Sequence, residues 1–163
     1  MNIFILDENP VIAAQSQCDK HVVKMILESA QMLCTAHRVL DGEEYADKIG
    51  ISYKIAHKNH PCSIWVRESA NNYLWLYKHM LALGEEYTYR YGKVHMSITK
   101  LANPLSRLPL NIPYIPMTEF RLAMGKFPEC IKEDPVESYR LYYQTKKESF
   151  NMVWSKRSAP EWF

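Results

Sequence analysis

His21, Lys24, Glu28, Gln31, Thr35 and Arg38 follow one another at steps of three and four, the spacing that lines side chains up as one stripe along a helix. The stripe holds a base, an acid, two cations and two neutral polar groups. An imidazole and a carboxylate two turns apart, with cations between and beyond them, can hold an electron-poor or anionic substrate. The carboxylate stabilises developing positive charge or moves a proton, and the cations grip the anion. The same stripe also fits a solvated face laced with intrahelical pairs, and the pattern alone leaves both readings open.

The elements that position these residues are readable from periodicity and punctuation. The remaining turns of the same helix carry Val22, Val23, Met25, Ile26, Ala30, Leu33 and Leu40, a wide apolar surface that calls for burial. Upstream, Asp7-Glu8-Asn9-Pro10 joins a capping side chain to a proline at the first helical position, so a helix starts there. It is expected to break near Ser16 to Asp19 and to continue to about Leu40, where Asp41-Gly42 stops it. Asn2 to Leu6 is the one strand candidate. The segment to Pro61 lacks periodicity and reads as a loop with one helical turn at most, its His57-Lys58-Asn59-His60-Pro61 end forming a candidate rim of a site.

Ser63 to about Tyr91 reads as a second long helix, rich in Trp65, Leu74, Trp75, Leu76, Met80, Leu81 and Leu83 and ended near Gly92. Arg67 and Asn71 lie one turn from the His-Pro loop and are site candidates, whereas Lys78 and Glu85 fit an exposed face. Pro104, Pro109, Pro113 and Pro116 rule out a long helix or central strand and imply an extended arm around the core. Thr118 to Met124 is read as one or two helical turns. Asp134-Pro135-Val136-Glu137 starts the last helix, expected to run to about Trp154. The fold class is therefore all-α, a compact single-domain helical bundle over residues 1–163 with a Pro-rich extended arm.

Composition excludes several classes. A chain of 163 residues with 47% hydrophobic content supports one sizeable core. A formal charge of +2 and a pI near 8.3 demand no polyanionic partner, although local clusters can still serve one. Cys18, Cys34, Cys62 and Cys130 form no C-x-x-C pair, which argues against a zinc module and a disulfide framework and for reduced thiols. Without a basic leader or an apolar run of about 18 residues, the expected location is the cytoplasm, with no membrane association. No Gly-rich phosphate loop, G-x-S-x-G or H-E-x-x-H motif is present, so no cofactor is implied. His57, His60 and Cys62, with His21, Cys34 and His37, make a mixed metal site imaginable. Their spacing is not diagnostic and the Glu-x-x-His pairs of a di-iron bundle are absent, so no metal ligands are assigned.

Tyr139, Arg140, Tyr142, Tyr143, Lys146, Lys147, Trp154, Lys156 and Arg157 interleave aromatics with cations, the combination that grips phosphates while stacking on bases. Tyr139, Tyr143 and Phe150 are spaced as a buried seam, which competes with that reading.

The stretch Asp19-Lys20-His21-Val22-Val23-Lys24-Met25-Ile26-Leu27-Glu28 resembles the first helix of the pyrimidine dimer DNA glycosylases of the phage endonuclease V type. There an Asp-x-His precedes the catalytic Glu by two turns. Asn59-His60-Pro61, with Glu85-Glu86-Tyr87 and Arg90-Tyr91-Gly92-Lys93, is similar to bacterial members of that family, and the Tyr-rich C-terminal segment is a looser likeness. The resemblance implies a helical protein that bends lesion-bearing or modified duplex DNA, extrudes a base and attacks C1′ with the α-amine at the start of the chain. Glu28 is then the catalytic carboxylate, His21 orients it or contacts a phosphate, and Asn2 supplies the amine. Lys24, Arg38, Lys58, His60, Arg67, Asn71, Arg140 and Lys146 are the nucleic-acid-binding candidates, and in a phage setting the location is the host cytoplasm.

The chain departs from the family at three points: position 2 is Asn rather than a small residue, several extra residues separate it from His21, and Leu27 and Gln31 stand where the phage enzyme carries arginines. Without a free amine the same scaffold can hydrolyse a glycosidic bond with a water activated by Glu28. A non-catalytic nucleic-acid-binding module and a small His/Cys metalloenzyme are the alternatives from other classes. The first calls for an exposed, unpartnered Glu28, the second for convergence of His21, His37, His57 and His60.

Overall fold

The computed structural model describes all 163 residues and contains helices and no strand. Seven α-helices follow in order: α1 (Pro10–Gln15), α2 (Asp19–Asp41), α3 (Glu43–Lys48), α4 (Pro61–Glu68), α5 (Ala70–Tyr91), α6 (Met96–Leu101) and α7 (Pro135–Gln144). The all-α expectation holds. Asn9 Oδ1 accepts from the backbone of Val11 and Ile12 to open α1, Cys18 is extended, and α2 begins afresh at Asp19. The break expected near Ser16 to Asp19 is there. Gly42 (φ 92°) and Gly92 (φ 70°) end α2 and α5 in the left-handed region, where a Cβ is costly.

The core forms where α2 packs on α4 and α5, with α1 packed on α5 as well. Val22, Ile26 and Leu33 meet Trp65, Tyr73, Leu76, Met80 and Leu83 there, all nearly or fully buried. Each such side chain contributes about 1.5–3 kcal/mol, so α2 is held firmly and the polar side of its first turns is fixed in space. Val23, assigned to the apolar face from sequence, is instead exposed.

Three expectations are corrected. The second long helix is broken at Ser69, whose extended backbone (φ −149°, ψ 141°) separates α4 from α5. Ser69 Oγ accepts from Asn71 N at 3.1 Å and donates to Ile115 O at 2.8 Å, so the break is also where the arm docks. Thr118 to Met124 forms no helix, because its polar groups find tertiary partners in place of helical ones. Thr118 N donates to Asn72 Oδ1 (3.0 Å), and Tyr139 Oη donates to Arg121 O (2.6 Å). Finally, α7 stops at Gln144 and a short 3-10 turn follows over Thr145–Glu148.

The chain beyond that turn is drawn across the start of α2. Asp19 N donates to Val153 O at 2.8 Å, Ser155 N donates to Asp19 Oδ1 at 2.9 Å, and the indole of Trp154 donates to Ser16 O at 2.9 Å. Residues 2–6 are all nearly or fully buried and enter the core without pairing as a strand. No helix is long and apolar enough to cross a membrane.

Candidate active site

The first three turns of α2 present Lys20, His21, Lys24, Met25 and Glu28 to a cleft of about 340 Å³. Met1, Asn2 and Phe4 form its floor, and the rest of the wall comes from Ala123 and from Tyr142, Lys146, Ser149 and Phe150 at and beyond the end of α7. Glu28 is only 9% exposed. Its Oε2 accepts from the backbone nitrogen of Asn2 at 3.0 Å, and Lys24 Nζ stands 3.6 Å from its Oε1.

The contact between Asn2 and Glu28 is built by the Asn2 side chain. Its Oδ1 accepts from Ile3 N (2.8 Å) and Phe4 N (3.1 Å), and its Nδ2 donates to Ala123 O (3.0 Å). The amide thus folds the first residues into a turn and ties them to the arm. Phe4 takes a positive φ of 56° in that turn, a conformation costing a non-glycine residue on the order of 1–3 kcal/mol. Its ring is held there by stacking on His21 at 4.7 Å.

Electrostatically the cleft joins one carboxylate to three lysines. Burial first, then the nearby charges of Lys146, Lys24 and Lys20, pushes the His21 imidazole down to about 4, so it is neutral at physiological pH. His60 Nδ1 accepts from Cys62 N at 3.2 Å and caps α4. Its pKa is lowered by burial, then by the terminal ammonium and His57, with Glu28 opposing. The chain start, His60 and Glu28 therefore feel one another. Fixed charge and a poorly hydrated carboxylate suit stabilisation of a cationic centre within an anionic substrate.

Of the residues singled out from sequence, the fold brings Asn2, His21, Lys24, Glu28 and Lys146 to one cleft. The stripe does not continue as a surface. Thr35 is buried and exchanges hydrogen bonds with the backbone of Ala56. Arg38, expected on phosphate, is a correction: its guanidinium is 1% exposed and is held by Glu43, Asp47 and the carbonyls of Ile51 and Tyr53. Lys58 and Arg67 lie outside the cleft lining, and Arg67 Nη1 donates to the carbonyls of Lys58 (2.8 Å) and Ser63 (3.1 Å). Asn71 is exposed and donates to Ile115 O. Arg140 clamps Leu6 O and Asp7 and lies over the Trp162 ring.

Lys20 and Phe4 line the cleft without being singled out by the sequence, and Tyr142, one of the aromatics interleaved with cations, also reaches it. Lys20 was open to discovery as the neighbour of His21, while the role of Phe4 depends on a turn that no local motif announces. Tyr139 and Tyr143 are fully buried, in keeping with a seam. The histidines do not converge: His37 pairs with Tyr73 Oη at 2.9 Å inside the core, and no three His, Cys, Asp or Glu side chains form a set that can hold a metal ion. The four cysteines are free and buried.

Fold and site together define an all-helical protein with a lysine-rimmed cleft in which the beginning of the chain meets a buried carboxylate. A family model described as pyrimidine dimer DNA glycosylase matches residues 1–100, and the chain belongs to that family. The matched span contains Asn2, His21, Lys24, Glu28 and His60, while Arg140 and Lys146 lie beyond it. Membership sets the class of reaction, excision of pyrimidine dimers by a DNA glycosylase, and makes DNA the partner. Comparison with curated proteins and with solved structures gave no match.

Proposed function

We propose that the protein is a DNA glycosylase with an associated abasic-site lyase activity on lesion-bearing duplex DNA, with Glu28 as the catalytic carboxylate and the nitrogen of Asn2 as the nucleophile. The observation that carries this reading is the 3.0 Å contact between Asn2 N and Glu28 Oε2 on the floor of the cleft. Removal of Met1 turns that backbone nitrogen into a primary amine beside the carboxylate. An attacking amine and its stabilising partner must flank one sugar, and this arrangement supplies the proximity.

In the proposed sequence the amine forms a bond to C1′ as the glycosidic C–N bond breaks, and the base leaves with the bonding electrons and takes up a proton. Opening of the C1′–O4′ bond, with the amine's remaining proton passing to O4′ as it becomes a hydroxyl, gives an imine. Glu28 then removes a proton from C2′, the electrons expel the 3′ phosphate, and water hydrolyses the imine to restore the amine. Neutral His21 and the cations of Lys20, Lys24 and Lys146 hold the flanking backbone.

The test is borohydride trapping on UV-irradiated and unirradiated duplex, with peptide mass spectrometry of the adduct. The expected result is a lesion-dependent adduct on the α-amine of Asn2, abolished by an N-terminal extension that leaves DNA binding intact. An adduct on Lys24 would move the nucleophile. The size of Asn2 favours one second reading, in which Met1 is retained and a Glu28-activated water hydrolyses the glycosidic bond. Base release with no trapped adduct identifies it.

A further inference from the structure

The Tyr143 hydroxyl has one proton to give and three neighbours. It accepts from Cys18 N at 3.0 Å, lies 2.7 Å from His21 Nδ1 and lies 3.3 Å from Cys18 Sγ. The backbone N–H can only donate, so it fixes one lone pair of the phenol oxygen. The phenol proton must then go to the imidazole nitrogen or to the sulfur. The nitrogen is nearer and by far the stronger acceptor, and 2.7 Å is the length of a good bond from a hydroxyl. Cys18 Sγ also lies 3.6 Å from His21 Nδ1, a long contact beside the 2.7 Å phenol. The opposite assignment, Nδ1–H onto Tyr143, would leave the phenol proton on a buried sulfur, a weak acceptor.

We propose that Tyr143 is a positioning residue that locks His21 in the neutral Nε2–H tautomer and aims that N–H into the cleft as a fixed hydrogen-bond donor to the substrate sugar or phosphate. This inference rests on the proposed role of the cleft. His21 Nε2 has no partner within the protein and is not among the fully buried unpartnered atoms, as expected of a donor kept for a ligand. Two rings flank the imidazole: Phe4 stacks on it at 4.7 Å, and Phe150 meets it in a T-shaped contact at 5.5 Å.

The groups facing His21 reinforce the assignment. Lys20 and Lys24 on its own helix and Lys146 from the turn after α7 are cationic, Phe4 and Phe150 are apolar, and Cys18 and Tyr143 contribute a sulfur and a phenol. Burial holds the Tyr143 phenol well above its ordinary range, so its proton is available at every working pH. Against three cations a neutral donor is far easier to maintain than an imidazolium.

Two measurements on the full chain test this. Imidazole ¹⁵N spectra of the wild type should show His21 as the Nε2–H tautomer, unchanged between about pH 5.5 and 8. An Nδ1–H tautomer, or an imidazolium forming in that window, overturns the proposal. Tyr143→Phe keeps the ring and removes the donor. It should lower kcat for base release by at least about tenfold with KM for duplex unchanged, and add no further loss in a His21→Ala background. An equal loss in both backgrounds assigns Tyr143 a structural role only and sinks the idea. Should Glu28→Gln leave activity untouched while the tautomer is as stated, the proposed chemistry falls and the hydrogen-bond assignment survives.

Discussion

Glu28 sits between two donors of unequal worth: a backbone N–H at 3.0 Å and the ammonium of an exposed lysine at 3.6 Å. Glu28→Gln keeps an oxygen for the first and loses the charge that serves the second and the proposed reaction. The variant should fold and bind DNA as the wild type does, while excision slows by about a hundredfold or more, the loss of roughly 2.7–4 kcal/mol typical of one preorganised electrostatic partner. Single-turnover rates against binding isotherms check it, and unchanged turnover would remove Glu28 from the mechanism. His21, Lys24 and Glu28 were legible in the sequence because helical spacing alone puts them on one side of α2. Arg38 shares that spacing and ends inside the protein, because what covers a helix turn is decided by the loop that packs on it. Residues 43–56 cover Thr35 and Arg38, and no periodicity in α2 announces them.

At the scale of elements, α1, α2, α5 and α7 announced their ends through local chemistry: Asn9-Pro10, Asp41-Gly42, Tyr91-Gly92 and Asp134-Pro135. The break at Ser69 and the irregular run from Thr118 were hidden because each is set by partners far away in the chain. The start of α2 is likewise secured from a distance. Arg90, with a fully buried side chain, donates to Glu86 (2.9 Å) and Asp19 (3.0 Å), and Glu86 is also held by Arg157 of the C-terminal segment. Arg90→Ala should destabilise the protein by about 1–3 kcal/mol, since Glu86 keeps Arg157 and Asp19 keeps Ser155 while the buried carbonyl of Gln17 loses its donor, and urea denaturation reads that directly. The network also makes a pH prediction. Burial pushes the Asp19 carboxyl up, but bonds from the Ser155 hydroxyl and backbone and from Arg90 outweigh it and hold it below its ordinary value. A carboxyl depressed in the fold contributes stability that is complete above its unfolded pKa of about 3.9 and is lost as pH falls through the folded value. The urea midpoint should therefore hold down to about pH 4 and drop as the pH falls further, and by less in Asp19→Asn.

For the molecule as a whole, a formal charge of +2 supplies little general attraction to a polyanion, so DNA affinity has to come from where the cations are placed. Lys20, Lys24 and Lys146 surround the cleft, whereas Arg38, Arg90 and Arg140 are spent on carboxylates and carbonyls within the protein. Counting cations in the sequence overstates the binding surface. Counterion release tests this distribution, because each neutralised phosphate adds about 0.9 to the magnitude of the slope of log K against log salt. Lys24→Ala and Lys146→Ala should each flatten the slope by about that amount and weaken binding to damaged and undamaged duplex alike. Neutral His21 should contribute nothing to it. Arg38→Ala should leave the slope alone and lower the urea midpoint, because the buried Ile51 carbonyl loses its donor at a cost of about 1–3 kcal/mol. If Arg38→Ala flattened the slope while the lysine variants did not, the duplex would lie across residues 38–54 instead of across the cleft at Glu28, and the carboxylate would be too far from the sugar to act on it.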